Sequence, residues 1–344
     1  MMVFAATGAG KGIGIVIPTL LDYPGSILVT DPKGENYAIT AAYRRQVGTV
    51  RMMNPADLVL SDRWNPMDII RAKTGLEADD AKALAKLMIK PDAREAHWDD
   101  KAASLLTALI LHTLRAPPEL RHLGHVRRLS VGGIEAMRDT LEEIVRDGSV
   151  AAAEIASGFL GQIPQKPTTK AGEFESVLSN VQKATEPWSS GSAAGQLSRR
   201  STFALSDLVS EVTTLFLCVD EELLPVYDRW LRVMTGCVIA QIMRSKHQPR
   251  RYPKVLLLLD EVAVLGPLES LERQAGLLRA YCTPVLIWQA EGQRARKMGI
   301  KHLQPSQGLT GVKRIEIVHA VNRFRSRTAS RRRTGMTECD NCAS

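Results

Sequence analysis

The hydrophobic pattern divides the chain into two kinds of segment. Short apolar runs read as strands: MMVFA at the start, SILVTD at 26–31, VTTLFLCV at 212–219, VLLLL at 255–259 and PVLIWQA at 284–290. The unbroken run at 255–259 suits a strand covered on both faces, the usual state of a central parallel strand. Elsewhere apolar residues recur at helical spacing. Leu84, Leu87 and Met88 form one stripe; Trp98, Ala102, Leu105, Leu106, Leu109 and Ile110, before Pro117, form a second; Ile134, Met137, Leu141, Ile144 and Val145, before Gly148, form a third. A long helix is predicted over 223–244. Strands separated by helices predict an α/β fold with a parallel sheet.

Chemistry enters at the first run. FAATGAGKGIG follows the opening strand and precedes the apolar IGIVIPTLL, so a tight loop is expected between a strand and a helix. Glycines at 8, 10 and 12 let the backbone turn its N–H groups inward, the helix start favours negative charge, and Lys11 neutralises terminal phosphates. Thr7, Gly8, Ala9, Gly10, Lys11 and Gly12 are therefore the candidate phosphate loop, with a nucleoside triphosphate as ligand. Against G-x-x-x-x-G-K-[ST], Ala5 stands at the first glycine position and Gly12 replaces the hydroxyl residue that would ligate Mg²⁺.

The run at 255–259 ends in Asp260 and Glu261, at the strand end where open α/β sheets bind ligands. Asp260 is the candidate Mg²⁺ residue and Glu261 the candidate group that polarises the attacking water. The adjacent glutamate favours the ATPase division that inserts a strand between the loop strand and the carboxylate strand. The run at 284–290 carries Gln289, either a γ-phosphate sensor or an ordinary strand-end amide. Lys11 and Asp260 are too far apart in sequence for one strand and helix, so a second unit is inserted between them. The expected division is 1–75 for the first part of the ATPase domain, 76–190 for an all-α insertion, 191–293 for the rest of the ATPase domain, and 294–344 for a basic, disordered tail. The turn formers of QIPQKPTTKAGEFES and EPWSSGSAAGQLSRRS, near 162–201, are expected to return the chain to the sheet. Their Lys166, Lys170, Arg199 and Arg200 either touch DNA phosphates or lie on a solvated loop.

Composition adds three constraints. At 344 residues and 44% hydrophobic content the chain can bury a sizeable core. The net charge of +8 is confined to the end: residues 291–344 hold 12 Lys or Arg against 4 Asp or Glu, leaving 33 of each before them. Five scattered cysteines point to reduced thiols in a cytosolic setting, and Cys339 and Cys342 form a lone C-x-x-C without the second pair a zinc site needs. No run approaches the ~20 apolar residues of a membrane span and the start lacks signal-peptide features, so the sequence reads as a soluble chain.

Four blocks in order, FAATGAGKGIGIVIPTLL, GSILVTDPKGENYAITAAYRR, WNPMDII and LLLLDEVAVLGPLESLE, resemble the coupling ATPases of type IV secretion and conjugation, the VirD4/TraG group. The resemblance implies a RecA-like P-loop ATPase core with an all-α domain. It further implies a homo-hexameric motor using ATP and Mg²⁺ at the cytoplasmic face of the bacterial inner membrane. Such a motor recruits a relaxase-DNA complex or an effector protein and passes it to type IV secretion channel components. Gly-Lys-Gly is common in that family, so Gly12 is consistent with a working loop. Asp31, Lys33 and Glu35 match its second block, either near the nucleotide or a subunit interface, or as a capped turn after a strand. Members usually begin with membrane-spanning helices, so Met1 on the loop strand reads as a missing anchor. The likeness fades after Gln293, and the tail is either a shifted frame or a basic nucleic-acid-binding extension. Two alternatives stand beside this reading: a remnant that binds nucleotide without productive turnover, and an FtsK-type DNA translocase, against which DPKGE and the largely helical insertion speak.

Overall fold

A computed structural model describes residues 1–5, 9–91, 96–163, 172–245, 251–268, 278 and 280–288. Its centre is a sheet of six strands: β1 (Met2–Phe4), β2 (Ile27–Asp31), β3 (Thr49–Met53), β4 (Thr213–Cys218), β5 (Val255–Leu259) and β6 (Cys282–Trp288). The order is β1-β6-β5-β2-β4-β3, and every pair is parallel. The strand between the loop strand and the carboxylate strand is therefore present, and it is β6.

The register explains why the strands are apolar throughout. Val285, Leu258, Val29, Phe216 and Met52 stand side by side across five strands and share one apolar layer. Residues one step along, Leu286, Leu259, Leu217 and Met53, belong to the layer on the other face, because successive side chains alternate across a sheet. Thr30 is the polar residue in that second row. The first face is covered by α1 (Ile17–Asp22), through Leu20, and by Tyr37 of α2 (Glu35–Val47).

Between β3 and β4, every described element of regular structure is helical: α3 (Glu77–Met88), α4 (Ala96–Thr113), α5 (Leu123–Ser130), α6 (Gly133–Asp147), α7 (Val150–Leu160), α8 (Glu173–Thr185), α9 (Ala193–Leu197) and α10 (Asp207–Ser210), with short 3₁₀ turns. The predicted stripes supply their buried faces, with Leu84 and Met88 on α3, Leu105, Leu106 and Leu109 on α4, and Met137, Leu141 and Ile144 on α6, whereas Val145, read into the third stripe, is exposed. One continuous apolar cluster runs from these helices through α11 (Leu224–Arg244) to the second face of the sheet.

The turn-rich reading of 162–201 needs correction. Phe174, Val177, Leu178 and Val181 are buried at i, i+3, i+4 and i+7 spacing, and α8 forms there. Neighbouring glycines and prolines mask that periodicity in the sequence. The WNPMDII block is structural: Asn65 caps a 3₁₀ turn at Pro66–Ile69 and donates to the Arg121 carbonyl at 2.7 Å. Cys218, Cys237 and Cys282 are buried thiols outside any disulfide among the described residues; desolvation pushes Cys237 up to about 12 and raises Cys218 as well. Cys339, Cys342 and the whole tail lie outside the described residues.

Candidate nucleotide site

The site is built where the strands end. The chain leaves β1 through Ala5, whose N–H donates to the Trp288 carbonyl at the end of β6. Thr7 and Gly8 lie outside the described residues. Gly10 has φ +74°, a left-handed conformation that suits glycine, and its carbonyl accepts from Gly14 N–H at 2.8 Å. Ala9 and Gly10 are exposed, and a π-type turn over Gly12–Val16 leads into α1. Nothing lies within 4 Å of where a Cβ on Gly12 would sit, so packing does not impose glycine there.

Lys11 reaches across β6. Its ammonium lies 2.7 Å from Asp260 Oδ1, with both side chains largely buried. The same Oδ1 accepts from Glu261 N–H at 2.9 Å, and Thr30 Oγ1 on β2 donates to the Asp260 carbonyl at 2.8 Å. Two charge-assisted hydrogen bonds thus aim the carboxylate towards the loop. Glu261 is buried and left-handed at φ +55°, one of two described non-glycine residues with positive φ. A glutamate held there costs on the order of 1–2 kcal/mol, a strain of the kind found at functional sites. The predicted Lys11, Asp260 and Glu261 are therefore brought together. Gln289 follows the last described residue of β6 and lies outside the described residues.

Sequence reasoning did not single out the residues that hold this geometry. Behind Glu261 the chain turns through Val262–Leu265, and α11 pins the turn: Arg232 donates to the carbonyls of Leu265 at 2.8 Å, Leu87 at 3.0 Å, and Pro267. Lys90 pairs with Asp228 on α11 and reaches the Val264 carbonyl at 3.5 Å. On the loop side Arg44 of α2 is fully buried. It donates to Tyr23 O at 2.5 Å, Gly25 O at 2.8 Å, Leu20 O at 3.4 Å and Thr214 Oγ1 at 2.8 Å. Nothing in AAYRRQ distinguishes buried Arg44 from exposed Arg45.

The second block resolves into a cap. Asp31 accepts from Asn36 Nδ2 at 2.9 Å and Tyr37 N–H at 2.8 Å, which fastens the first turn of α2; burial raises its pKa, partly offset by those donors. Lys33 makes an exposed 3.5 Å pair with Glu221, and Glu35 is exposed in the first turn of α2. Lys166 and Lys170 lie outside the described residues, while Arg199 and Arg200 are exposed.

A parallel sheet with a lysine-bearing loop at the end of one strand, and a carboxylate pair two strands away across an inserted third, defines a RecA-like P-loop NTPase fold. Residues 1–301 match the family described as type IV secretory system conjugative DNA transfer, and the chain belongs to it. The conjugal transfer protein TraG of Escherichia coli is 28% identical over 98% of the chain and 55% of its own length. Protein VirD4 of Rhizobium radiobacter is 28% identical over 81% of the chain and 40% of its own. The chain thus spans about half the length of the curated relatives it matches. Among solved structures, the plasmid coupling protein TrwB in complex with the ATP analogue ADPNP superposes with TM-score 0.62 at 18% identity, over 87% of this chain and 66% of that one. TrwB with ADP and Mg²⁺ gives 0.61 with the same identity and coverage. No described helix is long and apolar enough to cross a membrane.

Proposed function

We propose that this chain binds ATP at the Lys11 loop and hydrolyses it, with Mg²⁺, to drive conjugative transfer as part of a coupling protein. The observation that carries the reading is the 2.7 Å approach of Lys11 to Asp260 across β6. The donor set fits both ligands. An ammonium beside a glycine-rich turn suits terminal phosphates, and a single carboxylate suffices for a cation that keeps several waters and takes one or two carboxylates. Mg²⁺, when bound, neutralises charge on the transferring phosphoryl group. Lys11 binds phosphate oxygens, Asp260 supplies the metal-binding oxygen, and Glu261 takes the proton of the attacking water. Gln289 is assigned as the γ-phosphate sensor. TrwB, solved with ADPNP and with ADP and Mg²⁺, supports the choice of ligands.

Residues 76–190 are read as the all-α unit that meets substrate, and the assembly as a homo-hexamer at the cytoplasmic face of the inner membrane. It delivers a relaxase-DNA complex or effector protein to the secretion channel. The test is equilibrium binding of a fluorescent ATP analogue together with phosphate release on DNA. Lys11→Ala should lose about 10–100-fold in affinity, the worth of a charge-assisted contact. Glu261→Gln should retain affinity and lose about 10²–10⁴-fold in turnover. Parent-like affinity in Lys11→Ala would remove the phosphate-loop assignment.

A further inference from the structure

A cavity of about 370 Å³ opens where α3 ends, between α4, α8 and the first turns of α11, and none of its lining residues belongs to the Lys11–Asp260 site. Among the described residues its charged and amide lining is Lys90, Asp99, Asn180, Lys183 and Arg229, three cations against one carboxylate. Lys90 is occupied by Asp228, and Asp99 has a partner of its own. Lys183 and Arg229 differ: among the described residues neither makes a hydrogen bond or ion pair, and Arg229 Nε is buried with no acceptor. A buried guanidinium donor without an acceptor calls for a bound species to satisfy it.

We propose that this cavity is a binding site for a small phosphate-bearing anion, separate from the nucleotide loop. Arg229 on α11 supplies a planar fork to two oxygens, Lys183 on α8 a point charge, and Asn180 a neutral donor. Two free cations from different helices match a dianion with oxygens on several sides better than a carboxylate, which has one charge and two oxygens. The volume lies at the small end of ligand sites and suits a phosphate with little attached to it. A nucleic-acid strand would need a continuous row of phosphate contacts, whereas the free cations here are two.

The site is tested in the full chain carrying Lys11→Ala, so that phosphate binding at the Lys11 loop is weakened and the outcome is independent of ATP hydrolysis. Titration with inorganic phosphate, followed by calorimetry and by ³¹P line width, should show saturable binding. Arg229→Met and Lys183→Met, each added separately, should weaken it at least about tenfold, the scale of one charge-assisted contact, while leaving the unliganded circular dichroism unchanged. Lys183 is exposed on α8, so if Arg229→Met fails to fold, Lys183→Met decides. Absence of saturable binding, or parent-like binding in Lys183→Met, would overturn the site. If a short single-stranded oligonucleotide bound more tightly than phosphate and lost that advantage with Lys183→Met, the small-anion class would be overturned in favour of a nucleic-acid contact.

Discussion

Arg44 donates to the carbonyl of Tyr23 at 2.5 Å, and through that bond α2 closes the C-terminal end of α1, the helix that follows the Lys11 loop. A cation there meets carbonyls that the helix itself cannot satisfy, and it complements the helix dipole. Replacement by Met keeps the bulk and strands the carbonyls of Leu20, Tyr23 and Gly25. Arg44→Met should therefore destabilise the chain by about 3 kcal/mol or more, at roughly 1–3 kcal/mol per buried orphan. Arg44→Lys should recover only part of this, because one ammonium cannot span the fork. Urea unfolding monitored by circular dichroism checks the order parent, Lys, Met.

Glu261 sits where a glycine would be relaxed. Glu261→Gly should raise the free energy of unfolding by about 1 kcal/mol, through relief of left-handed strain. It should also abolish ATP turnover on the proposed reading. A thermal melt and a phosphate-release assay on the same preparation measure both, and a variant both less stable and fully active would contradict the assignment of strain to catalysis.

Stability should fall with acid in two stages. Burial, with Arg128, His112 and His122 nearby, lowers His125 to about 4 in the folded chain from 6.5. Between those values the unfolded chain binds more protons, so stability drops as pH falls from 6.5 towards 4. His122 is lowered too, by burial and then by Arg199 and Arg128, and adds in the same direction. Asp80 forms the second stage. Burial alone would raise its pKa, but hydrogen bonds from Arg71 and the charge of Arg244 more than offset this and hold it below 3.8. Its contribution is complete above 3.8 and is lost as pH falls through the lower folded value. Urea midpoints measured from pH 7 to pH 3 should show both limbs, and His125→Gln should reduce the upper one, leaving the share of His122, without changing the lower.

DNA affinity of the chain should be independent of base sequence and steeply salt-dependent, because the excess of Lys and Arg lies in residues 291–344. Changing Arg331, Arg332 and Arg333 to Gln should reduce the slope of log affinity against log salt by about 2–3 on duplex DNA. Fluorescence anisotropy from 50 to 300 mM salt measures it; an unchanged slope would move the contact to the folded core.

The geometry around Lys11, Asp260 and Glu261 was legible where one residue type implied one environment. Five consecutive apolar residues before Asp260 implied a central strand, and a glutamate beside that aspartate implied an inserted neighbour; both are present as β5 and β6. What could not be read were features whose meaning depends on distant partners. β3 has Arg51 in its middle, paired with Asp62, so its sequence lacks the unbroken apolar run of its neighbours. Arg44, Arg232 and Lys90 look like surface cations in one dimension, and only the fold shows that carbonyls of other segments converge on them. Asp31 reads equally as a residue near the nucleotide or a subunit interface and as a capped turn, and only the fold shows its bonds to Asn36 and Tyr37, which fasten the first turn of α2.

The order of the strands also sets a schedule for biosynthesis. β1 hydrogen-bonds to β6, and the amine of Met1 meets the carbonyl of Pro284 across 283 positions of chain. At about 5–20 residues per second a ribosome needs roughly 15–60 seconds to make that much polypeptide. For that interval β1 is without its partner β6, and on the proposed reading the Lys11–Asp260 site is incomplete. A nascent chain that stalls before β6 emerges can hold its helices and β2, β3 and β4, but Lys11 then has no β6 to reach across towards Asp260.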